Sequence, residues 1–339
     1  MSKFIPVIIA LVAFIGIYPS ASAQKRTAAT AAAPKCAWVS FENHSDVWQV
    51  AADRTNVYVA LAWTKHLAVI EKKTGKMSKI TADNDIQAVV TAGDKCYYFV
   101  VTEGIFSYDP ATGLTQGPLF GIEPGYDTFS QYRMSVSPDG NYILCCGTLV
   151  NLATGATAEA SSGSPQALNN LGGVYFGNPE ACYSPGGESG YVISGNVVVN
   201  DIFADPVTGN AYFSCEQGVG FTPEVPVENA GLTRVKSLAD ERVFAVNRDD
   251  AGNFIFCVDG GIAVGGKDIN DPLTPFKPLD TGIKSGYVDL MVNYTSAKII
   301  LPDKSGNILI GCPASGSLVI FNPKGLMDYG SLRGKATSF

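Results

Sequence analysis

Two short apolar runs joined by a polar turn rich in Gly and Asn recur roughly every forty residues along this chain, and few architectures accept such a pattern. The copies read Asp53-Arg54-Thr55-Asn56, Ala92-Gly93-Asp94-Lys95, Pro138-Asp139-Gly140-Asn141, Val207-Thr208-Gly209-Asn210, Asp250-Ala251-Gly252-Asn253 and Lys304-Ser305-Gly306-Asn307. Gly and Asn tolerate positive φ, so each copy reverses the chain between antiparallel strands. The interval between Asn141 and Asn210 is too long for one unit. Within it Val174 to Asn178, followed by Ala181 to Tyr183, reads as a degraded copy that divides the interval. Seven units averaging about 42 residues result, the length of a four-stranded module.

A second marker keeps the same period. Thr-Gly recurs at Thr74-Gly75, Thr112-Gly113 and Thr154-Gly155, where it reads as a turn from a third strand towards a fourth. In the second unit Ile86 to Thr91, Cys96 to Val101 and Ile105 to Tyr108 form three strands ahead of that turn. Alternation within strands is weak, as in Ile308-Leu309-Ile310, which suits sheets buried on both faces. The expected fold is therefore all-β: a β-propeller of four-stranded antiparallel blades, with seven blades favoured and six or eight as the neighbouring counts. Closing the circle leaves no exposed inner edge, and a strand near Ala37 to Phe41 is expected to complete the blade formed near Leu318 to Leu332.

The first 23 residues carry Lys3, an apolar run from Phe4 to Tyr18, and Ser20-Ala21-Ser22-Ala23 ahead of Gln24. This is the pattern of a secretory signal peptide. The run is broken by Pro6 and Gly16 and falls short of the ~18 to 20 apolar residues of a membrane span. A secreted product at the cell surface or in the periplasm is expected, without an integral membrane segment after cleavage. Residues 24–35 read as a disordered leader and 36–339 as one propeller domain. Lys and Arg number 24 against 31 Asp and Glu, with no basic cluster, so nucleic acid is not an expected partner.

Eight cysteines in an exported chain would ordinarily suggest disulfides. Cys145, Cys215, Cys257 and Cys312 follow their turns by four or five residues, which reads as one repeat-equivalent place. Stacked sheets are about 10 Å apart, beyond the ~7 Å Cα limit for a bridge, so buried free thiols are expected there. Cys36 and Cys182 fall outside the pattern and are the better candidates for a bridge.

Two stretches resemble a known family. Asp303 to Gly311 with Gly316 to Gly325, and Gly104-Ile105-Phe106-Ser107-Tyr108-Asp109-Pro110-Ala111-Thr112-Gly113, are similar to the two-component-regulator propeller repeat of exported bacterial sensors and stand-alone secreted propellers. Leu309, Phe254 and Tyr98 stand where that repeat has a second-strand Trp. The resemblance implies glycan sensing or protein docking.

The turns from second to third strand share one face of such a ring, and they hold Trp63, His66, Glu103, Glu216, Gln217, Asp259 and Ser315. An aromatic face to stack on a sugar ring, with carboxylates to accept hydroxyl hydrogens, makes these rim residues the candidate ligand site. The expected function is non-catalytic recognition of a glycan or a protein ligand. One alternative is a metal-dependent lactonase-like or lyase-like enzyme, in which Glu103, Glu216 and Asp259 converge on calcium, the one cofactor considered. Another is a structural subunit of an envelope assembly. With only His44 and His66 in the chain, a multi-histidine metal site is excluded. Neither histidine has a nucleophile-elbow motif nearby, so no catalytic residue is assigned.

Overall fold

The computed structural model describes residues 35–42, 47–122, 133–160, 163, 165–177, 180–186, 189–258, 261–276, 299–312, 316–325, 329–330, 332 and 335–338. Residues 1–34, which hold the expected signal peptide and most of the expected leader, lie outside them. Seven separate antiparallel sheets follow one another along the chain: blades one (47–81), two (86–120), three (134–159), four (166–194), five (199–234), six (243–276) and seven. The first strand of each blade packs beside the first strands of its neighbours, and the strand Val47–Ala52 of blade one also touches Ile299–Pro302 of blade seven. The ring is thereby closed, and the fold is a seven-bladed β-propeller.

Blade seven is built from both ends of the described chain. Its strands Ile299–Pro302, Ile308–Cys312 and Ser317–Asn322 are followed by Lys35–Glu42, antiparallel to the third, and Lys335–Ser338 lies parallel outside that. The expected N-terminal closing strand is thus found, in register from Lys35 opposite Asn322 to Ser40 opposite Ser317.

Second strands are the most apolar, because both of their faces meet a neighbouring blade. Val57 to Leu61, Tyr98 to Val100, Ala211 to Cys215 and Phe254 to Cys257 are all buried. Aromatic rings lock adjacent sheets edge to face: Tyr58 with Tyr108 at 6.2 Å, Tyr175 with Phe213 at 6.1 Å and Tyr212 with Phe254 at 5.0 Å between centroids. Outer strands such as Leu114–Phe120 and Thr157–Glu159 face solvent. A glycine opens the third strand of blades two and five, where the outer-strand chain crosses close by. A Cβ on Gly104 would lie 2.1 Å from the Phe120 carbonyl oxygen, and one on Gly218 2.3 Å from that of Leu238.

The repeating turns owe their shape to the residue that precedes them. Asp53, Asp205, Asp249 and Asp303 end their inner strands and accept main-chain N–H groups of the turn through the carboxylate; Asn169 and Ser137 do the same in blades four and three. This places the turn of blade four at Asn169 to Gly173. Val174–Gly177 is therefore a second strand and Ala181–Ser184 a third, correcting the reading of Val174 to Asn178 as a strand and its turn. Turn length also varies, so counting from Asn misaligns the cysteines. Cys145 and Cys257 occupy different places in their strands, not one repeat-equivalent position. Cys96, Cys145, Cys215 and Cys257 are buried thiols outside any disulfide, and Cys146 and Cys182 form none either. Cys182 is thus no bridge partner, while the Cys36 and Cys312 side chains lie outside the described residues.

Polar side chains bolt blade to blade. The Arg248 guanidinium spans Asp205 of blade five through Nε (2.9 Å) and Nη2 (2.8 Å), donates Nη1 to the Gly252 and Lys267 carbonyls, and lies 3.8 Å over the Phe254 ring. At the closure, buried Lys72 donates Nζ to the carbonyls of Asp53 and Asp303. Burial pulls the Lys72 pKa below its ordinary value, against the charges of Asp303, Asp53 and Asp250. Burial by itself would raise the Asp53 pKa, but hydrogen bonds from Tyr58, Asn56 and Thr55 outweigh it and hold the carboxyl below its usual value.

Arg248→Met should cost ~3 to 5 kcal/mol of stability in urea denaturation, since it strands the Asp205 carboxylate without a cation. Adding Asp205→Asn should recover part of the loss. Asp53 contributes stability that is complete above the unfolded carboxyl pKa, ~3.9, and is lost as pH falls through the lower folded value. Asp53→Asn should therefore flatten the acid limb of a stability–pH profile and leave the slope above about pH 5 unchanged.

Candidate functional site

The first residue of an inner strand pairs with the last of the second strand, as in Val47 with Leu61, Ile86 with Val100, Val199 with Cys215 and Val243 with Val258. One face of the ring, the upper face, therefore carries the starts of the inner strands and all second-to-third turns. The lower face carries the first-to-second turns. A central channel between the inner strands opens at both.

The lower mouth encloses about 440 Å³, lined by Ala52, Thr91, Ser137, Asp139, Pro206 and Lys304 among others. Asp139 is held below the usual carboxylate range, because hydrogen bonds from Ser137 and Asn141 overcome the effect of burial. The upper mouth is smaller, about 170 Å³, and more polar, with Trp48, Arg133, Ser135, Gln166, Asp201 and Asn247 in its wall. Burial draws the Arg133 guanidinium below its ordinary pKa while the nearby Asp201 carboxylate pulls the other way. Gln49 stands at the waist common to both mouths. Its amide donates to the Met134 carbonyl (2.7 Å) and accepts from the Met134 N–H (3.1 Å), tying blade one to blade three.

Of the rim residues expected from the sequence, Trp63 and His66 of blade one, Glu103 of blade two and Glu216 and Gln217 of blade five sit at second-to-third turns on the upper face and do not line either mouth. Trp63 is 55% exposed at φ +57°, a conformation uncommon for a bulky residue. His66 leaves the same turn with Nδ1 3.1 Å from the Thr81 hydroxyl. Glu103, in blade two, accepts a hydrogen bond from the Asn84 amide at 2.9 Å. Glu216, in blade five, is paired with Arg242, whose Nη2 donates to Oε1 at 2.9 Å, and the adjoining Gln217 carbonyl accepts from Arg234. Asp259 and Ser315 lie outside the described residues. Among the described residues no group of three or more His, Cys, Asp or Glu side chains is placed to hold a metal ion.

Trp48, Arg133 and Asp201 were not singled out by the sequence reading. The signal available was a charged or aromatic side chain inside an inner strand otherwise made of Val, Ile and Ala, as in Val199-Asn200-Asp201-Ile202. Trp48 is the unpaired residue of a β-bulge between Val47 and Gln49, and Asp201 directly follows the bulge at Asn200.

No protein-family model matches the chain, and no match was found among curated proteins. Many solved structures share the fold. The extracellular domain of a putative one component system from B. thetaiotaomicron is 12% identical, with a TM-score of 0.54 over 84% of this chain and 40% of that one. The extracellular domain of a putative hybrid two component system from the same organism is 13% identical, with a TM-score of 0.56 over 83% of this chain and 40% of that one. A catalytically inactive virginiamycin B lyase from Staphylococcus aureus, with quinupristin, is 12% identical, with a TM-score of 0.55 over 85% of this chain and 99% of that one. The chain thus spans about two fifths of the length of the two extracellular domains. At these identities the likeness is one of fold. Among the described residues no helix is long and apolar enough to cross a membrane.

Proposed function

We propose that this chain is an exported propeller that recognises a carbohydrate through the upper face of its ring, without catalysing a reaction on it. The observation that carries the reading is Trp63, an indole more than half exposed and held in a left-handed backbone conformation by its turn. An exposed aromatic face of this kind offers a stacking surface to the C–H groups of a sugar ring. Glu103 and Glu216 lie on the same face; Glu103 bonds Asn84 through one oxygen and Glu216 meets Arg242 through both, and each carboxylate retains further lone pairs. Solved propellers of similar fold include extracellular domains of bacterial signalling systems, which suits an exported recognition module.

The enzyme alternative asks Glu103, Glu216 and Asp259 to share a cation. The two that are described stand in blades two and five and have separate partners, which favours the recognition reading. Docking of a partner protein on the same face would use Trp63 as its anchor and is the second outcome of the test.

On a glycan array the purified domain should bind a restricted set of glycans, and the Trp63→Ala, Glu103→Ala double variant should lose that binding by tenfold or more while keeping its circular dichroism spectrum. Unchanged affinity in the folded double variant would discard the rim site.

A further inference from the structure

The upper mouth of the channel joins side chains that are distant in sequence. Arg133 enters it from the start of blade three, Asp201 from the inner strand of blade five and Trp48 from that of blade one. Among the described residues no hydrogen bond or ion pair engages the Arg133 guanidinium, although its main-chain carbonyl accepts from Gln166. This contrasts with Arg248, whose donors are spent on Asp205 and two carbonyls. A planar fork of five donors left open in a channel wall, opposite a carboxylate with several acceptor sites, is arranged to receive a ligand that both donates and accepts.

Three features narrow the ligand class. Among the described residues of the wall the charged side chains are Arg133 and Asp201, of opposite sign, so this lining singles out neither an anion nor a cation. The volume of about 170 Å³ lies below the ~300 Å³ where pockets for drug-sized ligands begin, so the mouth takes one ring rather than a chain. Trp48 supplies an aromatic wall beside the polar groups, and the Gln166 and Asn247 amides add further polar surface. A neutral pyranose meets all three, with hydroxyls that donate to Asp201 and accept from Arg133 and a C–H face for the indole. A free α-amino acid would match the two charges and leave the amides unused.

The geometry points to a binding site for a single neutral sugar ring, free or at the end of a glycan, in the upper mouth of the channel between Trp48, Arg133 and Asp201. The site rests on the carbohydrate reading of the upper face and adds a second, inward subsite to the rim around Trp63.

Ligand-observed NMR on the purified domain with a panel of neutral hexoses, hexuronic acids and α-amino acids tests it. At least one neutral hexose should bind, with tenfold or greater weakening in Arg133→Met and in Asp201→Asn. Lys304→Ala at the lower mouth should leave binding unchanged. A preference for uronic acids or amino acids would overturn the sugar assignment. Hexose binding indifferent to both channel variants, or no binding by any panel member to the folded protein, would overturn the site. Glycan-array binding that is lost in the Trp63, Glu103 pair yet survives both channel substitutions would remove this subsite and leave the rim reading standing. Hexose binding sensitive to Arg133 and Asp201 with a blank array would do the reverse.

Discussion

The ring depends on side chains that cross from one blade to the main chain of the next. Inner strands in a propeller belong to separate sheets, so their inward edges have no strand partner, and main-chain groups left there without one would be costly. Here Thr91 donates to the Ala52 carbonyl, Ser135 to that of Gln166, Gln166 to that of Arg133, Asn200 to that of Val243 and Asn247 to that of Ile300. Lys72 and Arg248 supply charged versions at the closure and between blades five and six. Apolar contact between sheets provides most of the stabilisation, but it is non-directional. These bonds fix the angle at which each blade meets the next, and so the width of the channel.

The candidate site follows from that arrangement. The channel opens in two mouths of different size and polarity, and Gln49 lines both. The lower mouth is ringed by turns whose carboxylates are committed to their own backbone, as Asp53, Asp249 and Asp303 are. The upper mouth has a guanidinium free of such duty. Asymmetry between the two ends arises because Asx-type capping recurs at the lower end, in the first-to-second turns and again in third-to-fourth turns at Asp109, Asn151 and Asn322.

Much of the architecture could be read from the chain. Gly and Asn mark turns because few other residues tolerate positive φ, and Gly75, Gly113 and Gly155 all adopt it at the third-to-fourth turns where the Thr-Gly marker placed them. Blade two was read almost strand for strand, and the closing partner of Ser317–Asn322 was located correctly. What misled was turn length. The capping Asp, Asn or Ser keeps its place while the number of residues to the second strand varies, so alignment on Asn shifted the cysteines and misplaced the turn of blade four. The upper mouth was illegible for a different reason. A single extra residue at a bulge reverses which side chains of an inner strand face the channel, and nothing local in Val47-Trp48-Gln49 or Val199-Asn200-Asp201 announces the bulge. Trp63, His66, Glu103, Glu216 and Gln217 were placed on the right face because turns need no such phase, but separate blades keep them apart.

Everything positioned on the channel presupposes that the two ends of the described chain meet in one sheet. Ser40 and Ser317 face each other across that seam with hydroxyl oxygens 2.8 Å apart. Paired antiparallel residues at such a place have Cα atoms ~4.5 to 5.5 Å apart, within disulfide range. In the Ser40→Cys, Ser317→Cys variant, mild oxidation followed by peptide mass mapping should yield a 40–317 cross-link and raise the urea midpoint. Failure of those two positions to cross-link in folded protein, or a cross-link that unfolds it, would contradict the closed ring from which the rest is argued.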